Sequence, residues 1–458
     1  MKTNRRQFIS SLSMLAAGSA MPLSAFSFGK PEKLKVVLVG TGIRGNLFWG
    51  KRLSEHYSDI LEFVGLCDIN PGRLAFSKKN LGLSCPTFTD FEQMVKETAP
   101  DVVIVTTRDS NHHEFIIKGL NMGCDVISEK PLTIDEFKAQ AVIDAERRSG
   151  KKLIIGFNAR WVPYNTKVKE LLMDNTIGEI TSVDHHYYLN TDHGASYFRR
   201  WHGLRQESGT LLVHKSTHHL DRLNWWIDSD PEEVYAYGSL DHYGLSGPYR
   251  GDNCRTCPHK NECRFFWDIT ESEIDMRLYV DNEKHDGYIR DNCLFREEIN
   301  IYDKMSLQVK YKSGAILNYS LIAYSPYEGW RVTINGTKGR IEAWVDIPYI
   351  DDLQESLGQN QEYERGSDTI LVHKLWNDYE KVVVPRQGGG HGGGDPNMTD
   401  KIFRTPGVPD PYQRSAGVRD GAMSMLIGVA ARKSIESGEL VKIAELTDLE
   451  PRVKRLIT

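Results

Sequence analysis

Three things are scarce in this 458-residue chain. Positive charge has no surplus: 57 Lys and Arg stand against 62 Asp and Glu, a formal net charge of −5 at pH 7. The basic stripe that nucleic-acid binding needs is therefore missing. Beyond the first thirty residues, no apolar run approaches the roughly 20 residues that span a bilayer, so no stable membrane span is expected. Cysteine, at seven residues, is too sparse to build a disulfide scaffold of this size. What is present, 40% hydrophobic and 26% charged residues, is the balance of an ordinary globular protein of two or three domains.

The first 29 residues read as an address. Asn4-Arg5-Arg6-Gln7-Phe8-Ile9 leads into small and apolar residues up to Phe28, the charged, apolar and small-residue layout of a secretory signal. Paired arginines followed by Gln-Phe-Ile resemble a twin-arginine signal, which predicts a partner in the twin-arginine export machinery and a periplasmic home. A disordered basic tail or a single anchor is the plainer reading. Residues 1–29 hold three basic and no acidic residues, so their removal would take the net charge to −8.

A β-branched run, Leu34–Val39, then enters Gly40-Thr41-Gly42-Ile43-Arg44-Gly45 and a helix-like stretch from Asn46 to Leu53. Strand, glycine turn and helix together make a dinucleotide fingerprint. Gly40 permits the turn, Gly42 lets backbone approach a pyrophosphate, and Gly45 lets the helix pack on the strand. The helix N-terminus offers free N–H groups to the phosphates. Asp68 ends the next strand, 23 residues past Gly45, where an acid takes ribose hydroxyls. Asp68 favours NAD, while nearby Arg73 keeps NADP open. Further strands at 101–106, 125–128 and 153–157 alternate with helices at 91–98, 114–123 and 134–149. That order predicts an α/β fold with a doubly wound parallel sheet over residues 33–157. Its strand ends carry Thr106, then Glu129-Lys130-Pro131, then Asn158 and Arg160.

Glu129-Lys130-Pro131 behind such a fingerprint resembles the glucose–fructose oxidoreductase and inositol dehydrogenase family, Gfo/Idh/MocA. The resemblance implies an N-terminal Rossmann domain and, over 158–458, an α/β domain on a large open, mostly antiparallel sheet. It implies NAD(P)-dependent chemistry on sugars or cyclitols, and it places Thr106, Glu129 and Lys130 at the cofactor. Lys130 would orient or deprotonate the reacting hydroxyl, a task suited to a desolvated lysine. A second signature falls on Ser208–Asp221: it makes His218 the catalytic histidine and matches Asp221 to a trailing aspartate. The family's usual aspartate is His214 here, with Lys215 beside it. One helical turn separates His214 from His218, so the two share a face and suit a base with its orienting or second base. A metal held by this pair also fits the spacing. His219 reads as a satisfied core histidine. Asn158, Arg160, Tyr164 and Tyr188, with Lys215, are substrate-side candidates, and Tyr197–His202 supplies aromatics and cations suited to a sugar.

Four cysteines crowd a polar insert at about 250–295: Cys254, Cys257, Cys263 and Cys293. Their spacing reads as tetrahedral thiolate ligation of zinc or an iron–sulfur centre. Two disulfides or a redox dithiol at Cys254 and Cys257 are the alternatives. Cys67, Cys85 and Cys124 read as buried apolar residues. Residues 305–342 predict an antiparallel meander, and such sheets imply by family analogy a dimer or tetramer. A glycine loop at 388–395 surrounds His391; a similar loop in related NAD-dependent glycosidases implies a site role for it. Two functions follow from the resemblance: a sugar or cyclitol oxidoreductase with a tightly held, exported cofactor, or a glycosidase working through transient C3 oxidation. A non-catalytic scaffold is disfavoured by the intact Asp68 and Lys130.

Overall fold

The computed structural model describes residues 33–347 and 366–455; the address expected over 1–29 lies outside them. Six strands form the first sheet: β1 (Leu34–Val39), β2 (Leu61–Cys67), β3 (Thr87–Phe88), β4 (Val102–Val105), β5 (Asp125–Ser128) and β6 (Leu153–Ile155). Their order is β3-β2-β1-β4-β5-β6, all parallel. This is the doubly wound arrangement whose order reverses between β1 and β4, opening a crevice beyond their carboxyl ends. Helices on both faces explain why these strands are continuous apolar runs rather than alternating ones. Local chemistry fixes the helix ends. Asp90 caps Phe91–Thr98 by accepting from Gln93 N at 2.7 Å, and Asp135 caps Glu136–Ser149 by accepting from Lys138 N at 2.9 Å. The two-residue β3 has too little sequence to announce itself.

The helix after the glycine turn is π-wound over Arg44–Gly50 and α-helical over Lys51–His56. Such winding is rare and concentrates at functional sites.

A nine-stranded sheet follows: β7 (Ile180–Asn190), β8 (Pro231–Ser239), β9 (Lys304–Tyr311), β10 (Ile316–Ser325), β11 (Glu328–Gly336), β12 (Gly339–Ile347), β13 (Ser367–Lys374), β14 (Tyr379–Pro385) and β15 (Val441–Lys442). The order is β14-β13-β12-β11-β7-β10-β9-β8-β15. Every pairing is antiparallel except β7 with β10. The expected meander over 305–342 is thus corrected. It forms two hairpins, β9–β10 and β11–β12, and β7 enters between them from earlier in the chain. One face is covered by the helices Ser216–Ile227 and Val418–Ser437, whose buried side chains join the sheet's apolar face in one core. Among the described residues no helix is long and apolar enough to cross a membrane.

Candidate active site

The glycine turn is built as its residues require. Gly40 has φ +88°, and a Cβ there would sit 2.7 Å from the Thr106 carbonyl oxygen; one on Gly45 would sit 2.1 Å from the Gly40 carbonyl oxygen. Thr106 Oγ1 donates to the Gly40 carbonyl at 2.5 Å, so this side chain braces the turn. Asp68 Oδ2 accepts from Thr41 N at 2.8 Å and Thr41 Oγ1 at 3.1 Å, which ties β2's end to the same loop. Glycine cradle, helix start and acid fit a nicotinamide dinucleotide.

Arg44 lies between two carboxylates. Its Nε donates to Glu129 at 2.7 Å and its Nη2 to Asp395 at 3.2 Å. Glu129 also accepts from Trp49 Nε1 at 2.8 Å. Burial alone would raise both carboxyls, but Arg44 with Lys130 holds Glu129 below its ordinary range, and His391 with Arg44 holds Asp395 well below. His391 Nδ1 pairs with Asp395 Oδ2 at 2.7 Å, and Asn158 Nδ2 donates to Asp395 Oδ1 at 2.8 Å. The glycine loop is therefore pinned to the dinucleotide fingerprint, with the His391 side chain 58% exposed.

Lys130 stands just past the end of β5, its Nζ 3.4 Å from the His214 carbonyl oxygen. Burial lowers its pKa to about 8, against the pull of Asp109 and Glu129. His214 Nδ1 lies 2.6 Å from Asp109 Oδ2. Burial pushes the His214 imidazole well below its usual range, and Lys130 adds to this, so the ring is neutral. Burial raises the Asp109 carboxyl well above its ordinary range, against the pull of Lys130, so a hydrogen bond joins the two groups whichever of them carries the proton. His218 is neutral for the same reasons, burial first and then the charges of Lys130 and Lys215, and its Nδ1 is buried without a partner. The helical stretch carrying both rings breaks at Lys215, between Leu211–His214 and Ser216–Ile227.

A second group lies alongside. Lys215 Nζ sits 5.1 Å from the Tyr187 ring centre, and Tyr187 Oη donates to Glu328 at 3.0 Å. Glu328 also pairs with His193 Nδ1 at 2.8 Å. Tyr197 touches both this group and the first, stacking on His193 at 5.1 Å and meeting His214 edge-on at 5.2 Å. Arg200 lies over Tyr197 at 5.1 Å. Aromatic rings among hydrogen-bonding cations and imidazoles can hold both the C–H faces and the hydroxyl edges of a polyol.

Several expected residues take other places. Arg160 is 1% exposed and donates from Nε to Asp221 at 2.7 Å and from Nη2 to Asp420 at 3.0 Å, so it is a buried structural cation and not a substrate contact. Asp221 is consumed by that pair. Tyr164 Oη donates to the Thr369 carbonyl at 2.8 Å, in the sheet. Tyr188 points to the opposite face of β7 from Tyr187 and meets Tyr327 at 5.0 Å; Tyr187 takes its place beside Lys215. Asn158 supports the His391 loop through Asp395. His219 is satisfied by Tyr319 Oη at 2.8 Å. Asp109, Tyr187, Glu328 and His193 were not legible as site residues.

Cys254, Cys257, Cys263 and Cys293 do line one small cavity. All seven cysteines are free, and among the described residues no three His, Cys, Asp or Glu side chains converge closely enough to hold a metal ion. That sets aside both expected metal sites, at the cysteines and at His214 with His218. Arg199 Nη1 already approaches Cys254 Sγ at 2.8 Å, placing a cation where a ligated metal would have to sit close by. Cys67, Cys85 and Cys124 are buried, and burial pushes the Cys67 thiol up to about 12.

Comparison with known proteins bears on these features. Residues 34–157 match the description "Oxidoreductase family, NAD-binding Rossmann fold", and residues 169–443 match "Oxidoreductase family, C-terminal alpha/beta domain". The Bacillus subtilis protein YteT, which carries an oxidoreductase name, is 37% identical over 432 residues, covering 91% of this chain and 99% of its own. A myo-inositol 2-dehydrogenase of Thermotoga maritima is 23% identical, covering 83% of this chain and 91% of its own. A levoglucosan dehydrogenase solved with NADH and levoglucosan shares the fold at TM-score 0.64 and 17% identity, covering 90% of this chain and all of that one.

Proposed function

The chain belongs to the Gfo/Idh/MocA oxidoreductase family, and from that premise we propose that it oxidises or reduces a ring hydroxyl of a sugar, glycoside or cyclitol using NAD(P). One observation carries the proposal: Lys130, at the strand end beyond the fingerprint, has its Nζ 3.4 Å from the His214 carbonyl, its pKa lowered by burial to about 8, and its charge felt by the neutral imidazoles of His214 and His218. The bound nicotinamide supplies a hydride acceptor or donor. Gly40 to Gly45 would cradle its pyrophosphate, and Asp68 would take the adenosine ribose.

Lys130 is the group whose proton affinity matches neutral pH, so it takes the hydroxyl proton in oxidation and returns it in reduction. His218 offers its unpartnered Nδ1 to the substrate. His214, its ring held by Asp109, presents Nε2 to a neighbouring hydroxyl. Lys215 holds a positive charge against Tyr187 and Glu328, and with Arg200 it anchors polar edges of the ring. Relatives named as inositol dehydrogenases favour a cyclitol or sugar substrate.

A second reading rests on the His391–Asp395 pair, which adds an exposed imidazole to the cleft whose charge is felt at His218. On that reading the enzyme is an NAD-dependent glycosidase: it oxidises C3 transiently, eliminates the leaving group, adds water to the unsaturated ketone and re-reduces C3. We further propose export by the twin-arginine route to the periplasm with the dinucleotide already held, and pairing of copies through the open face of the nine-stranded sheet.

The test is a panel of aldoses, uronic acids, cyclitols and nitrophenyl glycosides, with dinucleotide absorbance and released phenol followed together. Reduction of NAD(P) by a sugar, abolished in Lys130→Met, supports the oxidoreductase. Phenol release without net dinucleotide reduction favours the glycosidase. Neither signal on any polyol contradicts both.

A further inference from the structure

The cysteine-bearing insert reaches across the molecule and lies on the dinucleotide loop. Its segment from Glu273 to Asp286 comprises three short helical turns, Glu273–Leu278, Val280–Asn282 and Glu283–Asp286. Three residues there touch the cofactor half directly. Tyr279 Oη accepts from the Ile43 N–H at 3.1 Å, and a Cβ on Gly42 would lie 3.3 Å from that oxygen. The Asn282 carbonyl accepts from Asn70 Nδ2 at 2.9 Å. Asp286 forms an ion pair with Arg73. Gly72 is glycine for this reason: an added Cβ would lie 1.7 Å from Asn282 Oδ1.

These contacts fall on the residues that recognise a dinucleotide. Ile43 is at the helix start offered to the pyrophosphate, and Asn70 and Arg73 both bond Asp68 Oδ1, at 2.9 and 3.1 Å. Arg73 is a nearby cation suited to a 2′-phosphate, yet it is shared between the carboxylates of Asp68 and Asp286. The insert is itself braced. Buried Asp291 accepts from Arg255 Nε at 3.0 Å, Arg255 also pairs with Glu283, and Arg290 lies over the Tyr279 ring at 4.4 Å. A plain surface loop would not bring a buried tyrosine, a backbone carbonyl and an acid to three points of one ligand loop.

We propose that the insert is part of the dinucleotide site: Tyr279 closes over the pyrophosphate end, Asn282 fixes the ribose loop, and Asp286 neutralises Arg73 so that NAD is retained and NADP refused. This rests on the reading of the chain as a dinucleotide-dependent enzyme. The occupant is an adenosine dinucleotide without a 2′-phosphate. An enzyme exported with its cofactor would need such retention, because no dinucleotide pool waits outside the cytoplasm.

Binding measurements test the proposal without any substrate. The full-length protein is stripped of nucleotide and titrated with NADH and NADPH, and NADH release is timed against excess NAD, for the unaltered chain, Tyr279→Phe and Asp286→Asn. Each substitution removes one group and keeps the shape, and matched circular dichroism and melting profiles identify any variant that has failed to fold. Tyr279→Phe should release NADH about tenfold faster or more, the scale of one lost polar contact to a charged group. Asp286→Asn should narrow the preference for NADH over NADPH by a similar factor. Unchanged release and preference overturn the proposal, as does tighter binding in Tyr279→Phe, which would make Tyr279 an occupant of the phosphate position. Failure of the unaltered chain to bind either dinucleotide would overturn the underlying reading as well.

Discussion

Asp109 Oδ2 and His214 Nδ1 lie 2.6 Å apart, a carboxylate–imidazole pair joined across 105 residues of sequence. The acid comes from the loop after β4 and the imidazole from the helical stretch that leads onto the nine-stranded sheet, so the pair spans the cleft. Burial raises the Asp109 carboxyl well above its ordinary range, so it can exchange a proton with the ring; Asp109→Asn keeps the shape but removes that ionisable group. We expect kcat to fall about 100-fold or more, the usual contribution of positioned acid–base chemistry. KM should change little, and steady-state kinetics on any turned-over polyol would read the split.

Lys130 should set the pH dependence. Its pKa is about 8, below the ordinary lysine value, because burial disfavours the charged form. A proton acceptor must be neutral, so oxidation should accelerate as pH rises through about 8 and level off above it. Reduction, which needs the protonated amine, should run the other way. Lys130→Arg holds a permanent charge; its oxidation rate should be at least about 100-fold lower and should lose this inflection.

Arg160 and Asp221 distinguish a structural pair from a substrate contact. Both side chains are 1% exposed and hydrogen-bonded to each other. Asp221→Asn leaves the buried Arg160 charge to Asp420 alone, and should cost about 3 kcal/mol in denaturant unfolding, the lower end for a broken buried pair. Activity per folded molecule should stay close to that of the unaltered chain. A large KM increase in a stably folded variant would instead return Arg160 to the substrate.

Gly45 tests the cradle. A methyl group there would press on the Gly40 carbonyl at 2.1 Å and on Thr106 Oγ1 at 2.6 Å. Gly45→Ala must therefore push the helix off the turn, at a cost of about 1–3 kcal/mol. Titration with NADH should show weaker binding in step with the loss of stability.

How much of this the sequence disclosed depended on distance along the chain. The turn from Gly40 to Gly45 is contiguous, and the strand before it and helix after it are local, so it could be read directly. Lys130 was legible because Glu-Lys-Pro closes a strand. Asp109 was not, since nothing near it in sequence points to a histidine 105 residues away. Tyr279, Asn282 and Asp286 were hidden in the same way, and only folding brings the insert onto the fingerprint. The exchange of Tyr188 for Tyr187 is an error of strand phase. His185-His186-Tyr187-Tyr188 has no polar–apolar alternation of its own, but Val183 and Leu189 on either side set the buried parity at odd numbers. Arg160 looked functional because it follows a strand end, whereas its partners, Asp221 and Asp420, come from distant helices. The four cysteines were correctly grouped, and their spacing still did not determine whether the thiols would converge.

Dependence on a dinucleotide is read by mass spectrometry of the purified protein. Denaturation should release NAD or NADH, or, if the nucleotide has been lost in purification, titration should restore one per chain and Gly45→Ala should impair it. A chain that releases no dinucleotide and takes none up on titration would not be a dinucleotide-dependent oxidoreductase.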